Sequence, residues 1–240
     1  RNKPRMIFIN HAEDERADVS AIAKDVHDKF SVEVCQVTIP MKKSGKFEGV
    51  IDVLNGKAYF VPENGKVEVA TDIPAEYQDE YQNALGILAG SAAEGDDDLL
   101  IKFIGEGELT SEEIAYGLKI ALKNNRIVPC FCANVTANSG LVPYLDFVAE
   151  IAPSPEEAIE TATTKDGEIA SVLVASTDVM SALVVKTSSD QFSGKLSYIK
   201  VINGTLNADT EYWNIQDARK EKIGKIYRTV GKKLVEIKSA

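Results

Sequence analysis

Hydrophobic and polar positions along the chain fall into two patterns that change place near residue 153. The first apolar run, Pro4-Arg5-Met6-Ile7-Phe8-Ile9, is short and β-branched, and the polar group Asn10-His11-Ala12-Glu13 follows it at once. Such a run reads as a buried parallel strand with a ligand-competent loop at its carboxyl end. From Asp14 to Phe30 the apolar residues Ala17, Ala21, Ile22 and Val26 recur at helical spacing. Val32 to Ile39 then alternates as a strand. Gly49 to Leu54, Lys57 to Val61 and Lys66 to Ala70 are further strands of a small antiparallel sheet, separated by Gly, Pro and Asn. Pro74 opens a long helix over Glu76 to about Glu94, and Asp96 to Ile104 forms a shorter one. Thr110-Ser111-Glu112-Glu113 fits a capping box, with Thr110 as N-cap of a helix reaching about Asn124. Ile127 to Cys132 repeats the buried-strand pattern, which makes the segment Ala133 to Gly140 the expected neighbour of Asn10 to Glu13. A last helix, Gly140 to Ile151, is stopped by Pro153-Ser154-Pro155, followed by a polar connector to about Gly167.

Beyond the connector only strands are predicted: Ala170 to Ala175, Ser181 to Thr187, Lys195 to Val201, Glu211 to Ile215 and Lys222 to Thr229. Asp190, Gly194 and Asn203-Gly204 mark turns, and an antiparallel barrel or sandwich is the simplest outcome. Only five or six strands fit before Ala240. Lys233 to Lys238 carries no closing signal, so the barrel is expected to be incomplete.

Composition adds limits. The 240 residues are 44% hydrophobic and 27% charged, enough for two cored domains. No apolar run reaches membrane-spanning length and no leader pattern opens the sequence, so a cytoplasmic, membrane-free protein is expected. Cys35, Cys130 and Cys132 are read as buried free thiols, the last two on one face of a strand around Phe131. The net charge is −10, but Gln191 to Ala240 carries ten Lys and Arg against five acids, a local balance of +5. That basic end is either a solvated surface or a phosphate-backbone contact. His27 is read as a solvated helix residue, and Trp213, the only tryptophan, as packed in the barrel. With two histidines and no nucleophile beside either, no hydrolytic triad can be proposed.

Several separated segments, taken in order, resemble elongation factor G and its paralogues, the translational GTPases. The family's strand followed by Asn-Lys-Met-Asp and a helix is similar to Ile7-Phe8-Ile9-Asn10-His11-Ala12-Glu13. Phe47 to Leu54 with Lys57-Ala58-Tyr59, the acidic Ala93 to Asp98 and Leu109 to Ile114 resemble its inserted subdomain. Val128 to Cys132 leads to its last guanine-contact loop, and Pro153-Ser154-Pro155 stands where its G domain ends. Val185-Lys186, Gly194 to Tyr198, Val201 to Leu206 and Arg219 to Tyr227 resemble its second domain.

The resemblance implies a partial P-loop-GTPase-type α/β domain over 1–165 with an inserted α+β subdomain over about 32–126. An incomplete antiparallel β-barrel of the translation-factor domain II type would follow over 166–240. Asn10, His11, Glu13, Asn134 and Val135 would form the guanine site. Here His11 stands for the family's Lys, Glu13 for its Asp, and Ala133-Asn134-Val135 for its Gly-Ser-Ala. The backbone N–H of Val135 would face a base oxygen, and the extra methylene of Glu13 disturbs a bidentate contact by about 1 Å, weakening it by about 1–3 kcal/mol.

No Gly-x-x-x-x-Gly-Lys-Ser/Thr sequence occurs in these residues, and the switches and Mg²⁺-holding Asp are likewise missing; in the family they precede the segment matching Arg1. GTP or GDP with Mg²⁺ is therefore implied for a parent protein, and tight binding or hydrolysis is not expected of this chain itself. Two readings of the parent stand open, a GTPase and a ribosome-associated module that works without GTP. Either implies the ribosome as partner, through small-subunit ribosomal RNA at Lys195, Lys200, Arg219, Lys220, Lys222 and Lys225, and through stalk proteins at the inserted subdomain. No oligomer is expected.

Overall fold

A computed structural model describes residues 3–63, 66–157, 159–163, 168–174, 179–190 and 194–240. The chain divides into two compact units, Arg1–Pro153 and Ser154–Ala240. The expected boundary at 165/166 and the end of the expected strand at Ala175 lie outside the described residues.

In the first unit, β1 (Ile7–Ile9) is followed by α1 (Val19–Phe30), β2 (Glu33–Gln36), β3 (Thr38–Lys43), β4 (Lys46–Asp52), β5 (Lys57–Phe60) and β6 (Ala70–Thr71). Then come α2 (Gln78–Ala93), α3 (Asp97–Glu106), α4 (Ser111–Lys123), β7 (Ile127–Cys132) and α5 (Leu141–Glu150). A parallel sheet has the order β1-β7-β2, and a separate antiparallel sheet the order β3-β4-β5-β6. All six residues of β7 are buried, as a central strand covered on both faces requires. Phe131 points into one core with Leu88, Leu118 and Phe147. Cys130 and Cys132 point into the other with Ile9, Val19, Val50 and Tyr59. The alternation read from the sequence thus serves two cores at once. All three thiols are buried and free. Desolvation pushes those of Cys130 and Cys132 up to about 12 and that of Cys35 higher still.

Three sequence expectations are modified. The helix after β1 begins at Val19, capped by the Asp18 carboxylate, because Asp14 to Ala17 is spent on turns. The single strand expected over Val32 to Ile39 belongs to two sheets. Val37 is the joint: its N–H donates to Cys130 O in the parallel sheet, and its carbonyl accepts from Val53 N in the antiparallel one, both at 2.9 Å. Lys66 to Val69 lies outside any ladder, and only Ala70–Thr71 pairs as β6. The capping box at Thr110 forms as read, with Thr110 Oγ1 accepting from Glu113 N and the Glu113 carboxylate from Thr110 N. Gly49 is required where β4 shifts register, since at φ 153° a Cβ would stand 2.1 Å from Tyr59 O.

The second unit contains β8 (Ile159–Thr163), β9 (Ile169–Leu173), β10 (Ser181–Asp190), β11 (Gly194–Asn203), β12 (Glu211–Asn214), β13 (Arg219–Lys222), β14 (Ile226–Val230) and β15 (Lys233–Ile237). Taken two at a time from β8, the strands form antiparallel hairpins. The expected polar connector therefore contains β8, and the end that carried no strand signal forms β15. Among the described residues no ladder joins one hairpin to the next. Single backbone bonds link them: Leu206 and Ala240 exchange two, and Ile223 N donates to Thr210 O.

Candidate functional site

Two groups of residues were singled out by the sequence, one in each unit, and the fold treats them differently. In the first unit β1 and β7 run parallel in direct register, Ile9 opposite Cys132, so their carboxyl ends deliver two loops side by side. Backbone bonds lace the loops together, Ala133 N to Ile9 O and Ala12 N to Ala133 O, both at 3.0 Å. Asn10 Oδ1 accepts the Val135 N–H at 3.1 Å. The N–H of Val135 expected to face a ligand thus donates to Asn10 instead, because the short Asn stem spans the gap between adjacent parallel strands. Asn134 braces its own loop: its carbonyl and N–H pair with Ser139 in both directions, and its Oδ1 accepts from Ala137 N at 3.1 Å. His11 has φ 62°, a left-handed conformation that turns its ring back along the loop. Its Nδ1 lies 3.1 Å from Glu13 Oε1. Glu13 Oε2 is buried and has no hydrogen-bond partner among the described residues.

That orphaned oxygen is the chemically open group of this site. An unpaired buried acceptor is costly, and an incoming N–H donor would relieve it. Glu13 borders a hollow of about 320 Å³, together with Asn134, Glu15, Val61 and the Ser44-Gly45-Lys46-Phe47 turn between β3 and β4. Among the described residues no group of three or more His, Cys, Asp or Glu could hold a metal ion.

Two residues not recognised in the sequence fix these loops from outside. Lys42 on β3 donates through Nζ to Ala17 O at 2.7 Å and Asp14 O at 3.3 Å. Glu68, buried, accepts the backbone N–H groups of Gly140, Leu141 at 3.1 Å and Val142 at 3.0 Å. Gly140 itself has φ 83° and would place a Cβ 2.6 Å from Cys132 O, so only glycine fits between the loop and α5. Neither lysine nor glutamate has a local sequence signal, because each acts across the fold. The only available hint for Glu68 is a charged residue set between Val67 and Val69 in an apolar stretch.

In the second unit the basic residues are distributed by hairpin register. Cross-strand partners share a face, and on β12–β13 the pairs Glu211/Lys222 and Trp213/Lys220 occupy one face, with Tyr212/Glu221 and Asn214/Arg219 on the other. The first face is exposed throughout, while Tyr212, Asn214 and Glu221 are half-buried. Trp213, expected to pack inside, is 59% exposed on the outer face beside Lys220 and Lys222. Lys195, Lys222 and Lys225 line one hollow of about 540 Å³ with Leu206 and Ile226. Arg219 turns the other way and is held by Glu221 at 2.8 Å, which raises its pKa. Lys225 pairs with Glu236 at 2.9 Å, whereas Lys220–Glu211 and Lys222–Asp209 are loose, at 3.8 and 3.9 Å. Lys200 is exposed on β11. The six candidate residues therefore do not form one patch.

Residues 179–240 match the family model described as Elongation factor G domain 2. The segment is therefore similar to that domain. Over its whole length the chain is also similar in fold to a protein of Thermus thermophilus known from a crystal structure, with a TM-score of 0.77 and 24% identity. That likeness covers 100% of this chain and 33% of the other, so the chain spans about a third of the length of the protein it matches. The mixed α/β unit followed by an antiparallel β unit agrees with the architecture read from the sequence. Among the described residues no helix is long and apolar enough to cross a membrane.

Proposed function

We propose that this chain works as part of a cytoplasmic translation factor that rests on ribosomal RNA through the outer face of β12–β13. One observation carries the reading. An exposed tryptophan stands directly opposite Lys220 and two residue pairs from Lys222, so an aromatic face and two loosely paired cations point the same way. Aromatic faces stack unpaired bases, and lysines neutralise the adjoining phosphates with release of counterions. The competing ion pairs with Glu211 and Asp209 are surface contacts worth about 0–1 kcal/mol, and RNA phosphates displace them readily. Reversing Lys220 and Lys222 to Glu in the intact factor weakens ribosome binding and reduces the slope of log affinity against log salt by about 2 or more. Unchanged affinity and slope sink the RNA contact.

A second reading concerns the loops after β1 and β7. The unpaired, buried Glu13 Oε2 and the hollow that Glu13 borders support recognition of a guanine edge by Glu13, with Asn10 and Val135 joined as a brace. His11 already occupies the other Glu13 oxygen, which supports weak binding. Calorimetric titration of the intact factor with GDP tests it: affinity weaker than micromolar is expected, and no measurable heat at millimolar GDP leaves the factor as a GTP-independent module. Stalk-protein contact at the inserted subdomain remains a proposal carried by the family likeness alone.

A further inference from the structure

Glu68 is the least expected residue in the first unit, a carboxylate with only 6% exposure in the strand-like segment ahead of β6. Its neighbours Val67 and Val69 are 74% and 73% exposed. Burial alternates over these three residues, the two valines facing solvent and Glu68 the interior. Its two oxygens meet the N–H groups of Gly140, Leu141 and Val142. These belong to the start of α5, where backbone donors lack intrahelical acceptors and the helix dipole favours a negative charge. Gly140 offers no side chain to cap them. A residue seventy positions away in the sequence supplies the cap.

We infer that Glu68 is a positioning residue for the loop 133–140 and, through the Val135–Asn10 bond, for the loop after β1. The antiparallel sheet whose strand β6 begins two residues after Glu68 grips the other loop with the opposite charge, since Lys42 on β3 holds the carbonyls of Asp14 and Ala17. Its β3–β4 turn also forms a wall of the hollow beside Glu13. The sheet and the segment leading into it therefore hold both loops, and a displacement of Glu68 is passed to Val135 and Asn10. Its relevance to guanine rests on the second reading above, while the clamp itself is a property of the folded chain without ligand.

The test uses assigned ¹H–¹⁵N spectra and amide exchange of the full 240-residue chain, comparing wild type, Glu68→Gln, Glu68→Ala and the control Val67→Ala. Glu68→Gln keeps the shape and removes the charge. In both Glu68 variants the amides of Leu141 and Val142 are expected to move upfield and exchange about 10-fold or more faster, in line with the loss of a charged hydrogen bond. The Val135 amide and the Asn10 side-chain amide shift with them, whereas Val67→Ala moves none of these. If the change stops at residues 140–142, Glu68 is a helix cap and not a positioning residue. Equal acceleration at Phe131 and Leu118 means global loss of stability and also overturns the inference. A GDP titration of the intact factor, wild type and Glu68→Gln, separates the two ideas: an intact wild-type factor that binds no GDP removes the guanine reading, and the spectra still decide the role of Glu68. If wild type binds, at least about a 5-fold weakening in Glu68→Gln is expected from the lost charged hydrogen bond, and equal affinity denies that the clamp serves the pocket.

Discussion

The base-loop region and the β12–β13 hairpin hold similar polar residues in opposite circumstances. Around Asn10, Glu13, Glu68 and Asn134 the polar groups bond to one another across the fold, over separations as long as 125 positions in sequence. Around Trp213, Lys220 and Lys222 every partner is local, exposed and loosely held. In the first region backbone partners fix the geometry, and Glu68 holds its bonds away from water. In the second, solvent screening leaves the groups free to exchange partners. Similar residue types are held by the fold in one place and left adaptable in the other.

The largest way to break this comparison is through the cores. Phe131 is fully buried between Tyr144 and Phe147, with ring centroids at 5.2 and 5.0 Å. Phe131→Ala should cost about 3–5 kcal/mol in chemical denaturation. Trp213→Ala should cost under about 1 kcal/mol, as an exposed side chain does. Comparable losses from the two would contradict the exposed position of Trp213.

Gly140→Ala comes next. It meets both a left-handed φ and the Cys132 carbonyl, so a loss of about 2 kcal/mol is expected. A smaller loss of about 1 kcal/mol is expected for Asn10→Ala, which leaves the Val135 N–H without its acceptor near the surface. Thermal unfolding measured on both variants tests that order, and a larger effect from Asn10→Ala would mean that the brace outweighs the backbone constraint.

The smallest effect is in pH dependence. Asp52 is buried and its pKa is raised, chiefly by desolvation and against the lowering bonds from Asn55. The folded state therefore holds its proton more firmly than the unfolded state does, and stability at neutral pH carries a penalty that fades on acidification. Relative to Asp52→Asn, the wild type should gain stability as the pH falls through the raised folded value toward the ordinary Asp value of 3.8. A difference between the two that is flat with pH over that window denies the desolvation of Asp52.

Much of the first unit was legible because its signals are local. The buried run Ile127 to Cys132, the Thr110 capping box and the stop at Pro153 each state their structure within a few residues. Where the sequence misled, one segment had to satisfy two partners. Val32 to Ile39 alternates like one strand, yet Val37 divides it between a parallel and an antiparallel sheet. The local charge balance names the cations of the basic end without saying which way each faces, and hairpin register sends Arg219 to the face opposite Lys220 and Lys222.

By itself, then, the sequence determined the two-part architecture, the adjacency of the Asn10 and Asn134 loops, and the buried thiols, because periodicity and capping act between near neighbours. Only the tertiary structure decided that Val135 donates to Asn10, that Trp213 faces outward, and that Glu68 and Lys42 clamp the loops. Those outcomes depend on which strands lie side by side and on what water is excluded from, and neither is written in any short stretch of the chain.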